Sequence, residues 1–306
     1  MKRLQNKVSD SKLSLPITSV YAAGVWVLAG LIQENWWIQF GCFAISVSLM
    51  AVLNNMNALI RIHSRMISCS FIVLNCAICF LFASLREAVC TMLMAATYVV
   101  LFQTYQDKDS PGLTFYGFLL LGLSSLVDIQ ITYLIPFLWL LMQTNLQSLS
   151  WRNFFASLSG VTLPYWFALG WSTYQSDFTL WTNHFALWTN IQTPFDFSGL
   201  NTHHILTMYF VSALALFGAL HYWRNCHHDK IHNRMLYGFF IRMYLFLLLL
   251  FFLQPQRYDL LIRLMILNTA PLIAHFIALT QQRVTNIIFC IITLSAFFLT
   301  VYNLWM

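Results

Sequence analysis

The sequence predicts an all-α fold, a polytopic transmembrane helical bundle of about eleven crossings that includes a short-helix hairpin around Asp128. Three observations lead there. The chain of 306 residues is 59% hydrophobic and only 8% charged, with mean hydropathy +0.68, so it lacks the polar residues to cover a water-facing surface. Apolar runs of crossing length alternate with short polar connectors from end to end, which predicts a single integral-membrane domain over 1–306. The apolar run Leu113 to Thr144 carries one acidic residue at its centre. As one helix it would be roughly 48 Å long, against a hydrocarbon core of ~30 Å, and it would place a carboxylate in oil. A turn near Leu126 to Gln130 removes both problems.

In chain order, residues 1–15 are polar and basic and lack a signal-peptide core, so they are expected in the cytoplasm ahead of an uncleaved first crossing. That crossing runs from Pro16 to Gln33. Glu34 and Asn35 turn the chain, and Trp36 to Leu53 returns with Trp36 and Trp37 as interfacial anchors. Asn54 to Arg65 holds Arg61 and Arg65 four residues apart, and is expected as a short amphipathic helix lying flat on the cytoplasmic side. Met66 to Leu85 leads out, Arg86 and Glu87 mark the turn, and Ala88 to Tyr105 leads back. Gln106 to Gly112 is a turn because Pro111 and Gly112 end the neighbouring helices.

The Asp128 hairpin returns the chain to 145–152, and a run from Trp151 to about Thr173 follows, with a kink expected at Pro164. The interval 174–201 is rich in aromatics and has no Lys or Arg, so it is expected as an extracytoplasmic aromatic loop in the headgroup region. Thr202 to Trp223, Met235 to Leu253, Leu260 to Leu279 and Thr285 to Leu304 complete the crossings, with a basic cytoplasmic loop at 224–234 and the last segment ending on the periplasmic side. Under this frame only Arg86, Arg257 and Arg263 of the sixteen Lys and Arg residues fall outside. The net charge of +6 is therefore the bias of cytoplasmic loops, and nucleic acid is not an expected partner.

The outer side collects Glu34, Glu87, Asp128, Asp177, Asp196 and Asp259 with Arg86, Arg257, Arg263, His184, His203 and His204. Carboxylates at an interface serve as general bases or cation ligands, and arginines hold phosphate bidentately. Glu34, Asp128, Arg257 and Arg263 are the candidate catalytic residues. Against this stands a plainer reading, in which Arg86 with Glu87 and Arg257 with Asp259 are interfacial ion pairs and Arg263 snorkels. Arg242, about seven residues inside its helix, needs a partner.

His221, Cys226, His227, His228, Asp229 and His232 lack a second ligand pair at a recognised spacing, so the tract reads as a solvated basic loop rather than a metal site. Cys76 and Cys79 form a CxxC inside an apolar helix, where packing is the ordinary use. No P-loop, GxSxG, HExxH or GxGxxG supports ATP hydrolysis, soluble-type hydrolysis or dinucleotide binding, and no pattern names a cofactor.

Leu53-Asn54-Asn55 with Arg61 to Met66, Phe118 to Leu126, and Ser148 to Arg152 running to Leu163-Pro164-Tyr165-Trp166 together resemble an uncharacterised multi-pass inner-membrane family of Bacteroidota. The resemblance implies a Gram-negative inner membrane and no established activity. It departs at the hairpin tip, where similar proteins carry aromatic and proline residues in place of Val127, Asp128 and Ile129.

The functional expectation is handling of lipid-linked sugars or envelope glycans at the periplasmic face, with the bilayer and a polyprenyl-linked glycan as partners. Membrane glycosyltransferases generally have a long first outer loop, which this chain lacks. The alternatives are a non-enzymatic subunit or scaffold docking a membrane protein partner and, third, a transporter, for which only one broken segment is evident.

Overall fold

A computed structural model describes residues 3–62, 64–176, 178–189 and 194–305. Of the residues singled out above, His63 and Asp177 lie outside them. Among the described residues every regular element is helical, with thirteen α-helices joined by short 3₁₀ and π turns. Six of these are long and apolar enough to cross a membrane, which marks a membrane-embedded bundle.

The bundle is arranged around α12 (Tyr258–Leu279), which is buried without a break from Leu260 to Ala278. A helix apolar on all faces belongs in the middle of a bundle. Around it stand α4 (Met66–Cys76), α5 (Leu85–Phe102), α10 (Thr202–Asn225) and α11 (Ile231–Leu253). α3 (Trp37–Asn57) packs on α4 and α5, and α2 (Ser14–Leu28) on α4, where Trp26 stacks on Phe82 with ring centroids 3.8 Å apart. The basic amino-terminal segment folds as α1 (Leu4–Asp10), whose Gln5 amide donates to the Ile277 carbonyl at the end of α12. α13 (Arg283–Trp305) lies on the outside, tied in by Asn303, which donates to the carbonyl of Ala77 and the hydroxyl of Thr207.

The expected hairpin is present. α6 (Pro111–Val127) climbs to Asp128, a 3₁₀ turn over Ile129–Tyr133 reverses direction, and α7 (Leu134–Leu141) with a π turn descends. Its two feet are joined where the Gln106 N–H donates to the Leu146 carbonyl at 2.7 Å and the Thr104 hydroxyl to Ser148 at 3.1 Å. α6 rests on α8 (Trp151–Gln175), which starts at a Ser150 cap and runs through Pro164 as one helix. The contact is backbone on backbone. A Cβ at Gly122 would stand 2.7 Å from the Val161 carbonyl oxygen, and one at Gly160 2.5 Å from that of Phe115. Small residues permit such approach where the bilayer gives no hydrophobic drive between helices.

Three expectations are corrected. Residues 58–62 and 64–65 form no amphipathic helix, because α3 stops at Ala58 in the left-handed region (φ 46) and tertiary bonds hold the rest in bends and irregular backbone. Asn54 donates to the Ser64 carbonyl and the Ser64 hydroxyl to that of Ser9. The segment 66–85 is not one helix, since α4 ends at Cys76 and a 3₁₀ turn over Cys79–Leu81 leads to Ser84. The aromatic interval is not all loop, because it contains α9 (Thr179–Thr189).

Gly160→Ala should therefore force α6 and α8 apart and cost about 1–3 kcal/mol, the range for overpacking. Gly170→Ala, in the same helix with open space around it, should stay within about 0.5 kcal/mol. Thermal unfolding in detergent compares the two, and equal midpoints would contradict the packing described.

Candidate functional site

The tip of the hairpin is a charged cluster. Asp128 is only 2% exposed, and its carboxylate lies 3.3 Å from Arg86 Nη2 and 3.4 Å from Arg257 Nη1. The other demand on it is local, since Oδ1 accepts from the Gln130 N–H at 3.1 Å and so caps the 3₁₀ turn. Arg86 stands in the first turn of α5 and Arg257 at the entry to α12, so a single anion fastens three segments. Both arginines keep contact with solvent, at 39% and 27% side-chain exposure. The plainer sequence reading is corrected here, because Arg86 and Arg257 pair with Asp128 rather than with their chain neighbours Glu87 and Asp259.

Arg263 lies one turn deeper and is 5% exposed. It does not snorkel. Its Nη2 donates to the Leu81 carbonyl at 2.6 Å and to the Ser84 hydroxyl at 3.3 Å, with Glu87 and Asp259 supplying the countercharge. A buried guanidinium needs such partners. By holding the turn that precedes Arg86, Arg263 positions the cluster without being part of its open face. Glu34 is not brought to this site; it is exposed in the turn between α2 and α3.

Above the tip, α9 forms a lid of aromatic residues. The Gln130 amide donates to the Leu187 carbonyl, and the Tyr133 hydroxyl to the Trp188 carbonyl at 2.6 Å. His184 lies near the cluster, and burial holds it below the usual histidine range, against a hydrogen bond to the Ser125 backbone and the charge of Asp128 and with help from the positive charge of Arg86. It is therefore neutral at pH 7 and available to donate or accept a hydrogen bond. Beside the lid is a cavity of about 390 Å³ between α8, α9 and the tip, lined by Ile129, Val161, Tyr165, Trp181, Phe185 and Trp188. Its walls are almost wholly apolar. The polar atoms Arg86 Nε, Gln130 Oε1 and His184 Nε2 are buried nearby without partners.

No known family, curated protein or solved structure matches the chain. The site is therefore read from its own geometry. It couples arginines able to grip a phosphate or carboxylate with an apolar, aromatic-walled groove.

At the other end of α12 lies a second cluster that sequence reasoning missed. His275 is wholly buried, and its Nε2 is 3.0 Å from Asp229 Oδ2, while Arg61 Nε is 2.8 Å from Oδ1. Asp229 stood in the histidine-rich tract, of which His221 also comes near His275, with ring centroids 5.8 Å apart, while Cys226 bonds to the Trp223 carbonyl and His232 packs on Tyr105. Among the described residues no group of three or more His, Cys, Asp or Glu side chains gathers as a metal site. Arg242 finds Asn145, whose amide in turn donates to the Met235 carbonyl at 2.8 Å.

Asp128→Asn leaves two guanidiniums without an anion, whereas Arg86→Gln or Arg257→Gln leaves the carboxylate one partner. The first should cost about 1–3 kcal/mol, below the 3–5 kcal/mol of a fully buried pair because both arginines reach water, and more than either arginine variant. Denaturation of the three variants and the double variant gives the coupling. Additive losses would show that Asp128 does not join the arginines.

Proposed function

We propose that the chain is a multi-pass inner-membrane protein of about eleven crossings that engages a lipid-linked glycan at its periplasmic face. The observation that carries this reading is the adjacency of the Arg86–Asp128–Arg257 cluster to the apolar groove under α9. A polyprenyl phosphate has the matching two halves, an anion for the guanidiniums and an unsaturated chain for Trp181, Phe185 and Trp188. Arginine's planar fork suits phosphate, and aromatic walls suit a flat, branched hydrocarbon. His184, neutral and near the cluster, supplies a hydrogen bond to the same headgroup.

The crossing number follows from joining the six long apolar helices to the shorter ones over Ser14–Leu28, Met66–Cys76 and Pro111–Val127, to α8, and to the descending arm of the hairpin. Orientation follows from the bases. Lys108 and Lys230 in connectors, Arg224 in the last turn of α10 and Arg234 in the first turn of α11 lie at the end of α12 opposite Asp128, the end expected in the cytoplasm.

A second reading, a scaffold subunit, would use the outer face of α8, where Trp166, Phe167, Trp171 and Tyr174 are all more than half exposed. Such a row suits lipid or a partner helix equally.

Native mass spectrometry in mild detergent with added polyprenyl phosphate separates the two. The lipid-linked reading expects a one-to-one adduct, weakened at least about ten-fold by Arg86→Gln with Arg257→Gln and, independently, by Trp181→Ala with Phe185→Ala (about 1.4 kcal/mol or more). No adduct, together with a stoichiometric protein partner retained through purification, would favour the scaffold.

A further inference from the structure

The end of the bundle that carries α1 holds a cavity that the lipid-linked reading does not use. It has a volume of about 130 Å³ and lies between α1, α2, α4, α12 and α13, with Val8, Thr18, Cys69, Ile277, Phe289 and Ala296 among its lining residues. Thr293 on the α13 wall is exposed while Cys69 on α4 is buried, so the cavity runs inward from the flank of the bundle. About one turn further along both helices α2 and α13 are joined, where the Tyr21 hydroxyl donates to that of Thr300 at 3.1 Å. The wall hydroxyls are spent within their own helices, Thr18 on the Ser14 and Leu15 carbonyls and Thr293 on that of Phe289. A cavity so poor in free hydrogen-bonding groups stays dry, and since one of ~150 Å³ takes a benzene ring, this one has room for a stretch of about six carbons.

Basic side chains gather beside it. The Ser64 hydroxyl donates to the Ser9 carbonyl at 3.0 Å and so joins α1 to the connector before α4. Lys7 precedes the lining residue Val8 and Arg65 precedes the lining residue Met66, while the Lys12 carbonyl accepts from Arg65 Nη1 at 3.3 Å. Lys7, Lys12 and Arg65 are all exposed, and Asp10 is the one acidic side chain among the described residues of α1 and its turn into α2. The ordinary bias of loops toward Lys and Arg accounts for the side of the membrane on which these bases lie. It does not account for their standing next to a chain-sized opening in the wall.

We propose that this cavity binds one acyl chain of an anionic phospholipid whose phosphate is held by Lys7 and Arg65. Hydrocarbon is what meets the flank of a membrane bundle, and a chain entering the void restores dispersion contacts that its lining otherwise forfeits. Arg65 spends one N–H on the Lys12 carbonyl and keeps the rest of its fork for phosphate oxygens, and the Lys7 ammonium adds a compact positive charge. A zwitterionic lipid offers the same chain but brings a cation of its own to three bases, so the headgroup charge is what selects. The bound lipid bridges α1, α4 and α13. The site is separate from the Arg86–Asp128–Arg257 cluster and does not depend on what that cluster holds.

Native mass spectrometry of the full chain, stripped of lipid in mild detergent and titrated with phosphatidylglycerol or with phosphatidylcholine of the same chain length, reads the first binding constant for each. The expected result is a one-to-one phosphatidylglycerol adduct at least about ten-fold tighter than the phosphatidylcholine one, a preference that Lys7→Gln with Arg65→Gln removes. Thr293→Phe, which sets a ring into the cavity wall, should weaken the first adduct of both lipids, whereas Ile291→Phe, at an exposed position of the same helix, should leave both unchanged. Equal binding of the two lipids by the unaltered chain overturns the proposal, as does a preference that survives the Lys7 and Arg65 substitutions or a first adduct that is unaffected in folded Thr293→Phe. Loss of the phosphatidylglycerol adduct in Arg86→Gln with Arg257→Gln would assign it to the outer cluster and overturn the proposal equally.

Discussion

A helix buried on every side has nowhere to put a charge except its ends, and α12 is such a helix. Its polar residues are spaced accordingly, with Arg263 near one end, His275 near the other, and Asn268 between them bonded to the Tyr98 hydroxyl. Arg263 and His275 are twelve residues apart, about 18 Å along the axis. Each must be met by partners from other segments, because nothing in the hydrocarbon region can substitute for them. The turn at Leu81–Ser84 comes in to meet the first, and the connectors bearing Asp229 and Arg61 come in to meet the second. The placement of three chain segments thus follows from two side chains on one helix.

The two ends solve the same problem at different depths. Each has one buried carboxylate and two basic side chains. At the outer end both arginines remain partly wet, so the desolvation cost falls mainly on Asp128 and is offset by two charge-assisted contacts and a backbone N–H. At the other end one of the two bases, His275, has no surface at all, so its contact with Asp229 is made wholly inside the bundle.

Much of the outer architecture was legible because it rests on quantities a sequence carries. The hairpin follows from a run too long for one crossing with a lone aspartate at its centre, and Arg257 and Arg263 stand out because arginine in an apolar run always needs an explanation. What was illegible is pairing across the chain. Arg86 has Glu87 beside it, and adjacency in sequence pointed to the wrong partner for a side chain that reaches Asp128 instead. Residues 58–65 have helical spacing of bases, but the left-handed Ala58 and the anchors from Asn54, Ser9 and Asn233 decide the conformation. Tertiary contacts overrode local pattern there. A solitary histidine in an apolar run, as His275 is, carries no signal until the fold places Asp229 3.0 Å away.

The hairpin is restrained at both ends, and this bears on how a ligand reaches its tip. At the foot, Gln106 is bonded to Leu146 and Asn145 to both Arg242 and Met235. At the tip, Asp128 is held by Arg86 and Arg257, and along its length α6 touches α8 through Gly122 and Gly160. On the face under α9 the side chains of Gln130 and Tyr133 donate to the lid's carbonyls and the groove is apolar. A water-soluble molecule gains little from such a wall, since burying its polar groups there leaves them unpaired. A hydrocarbon tail loses nothing on leaving the bilayer for it and brings its headgroup within reach of the arginines. On the reading proposed above, a lipid-borne ligand would enter from the side, out of the membrane.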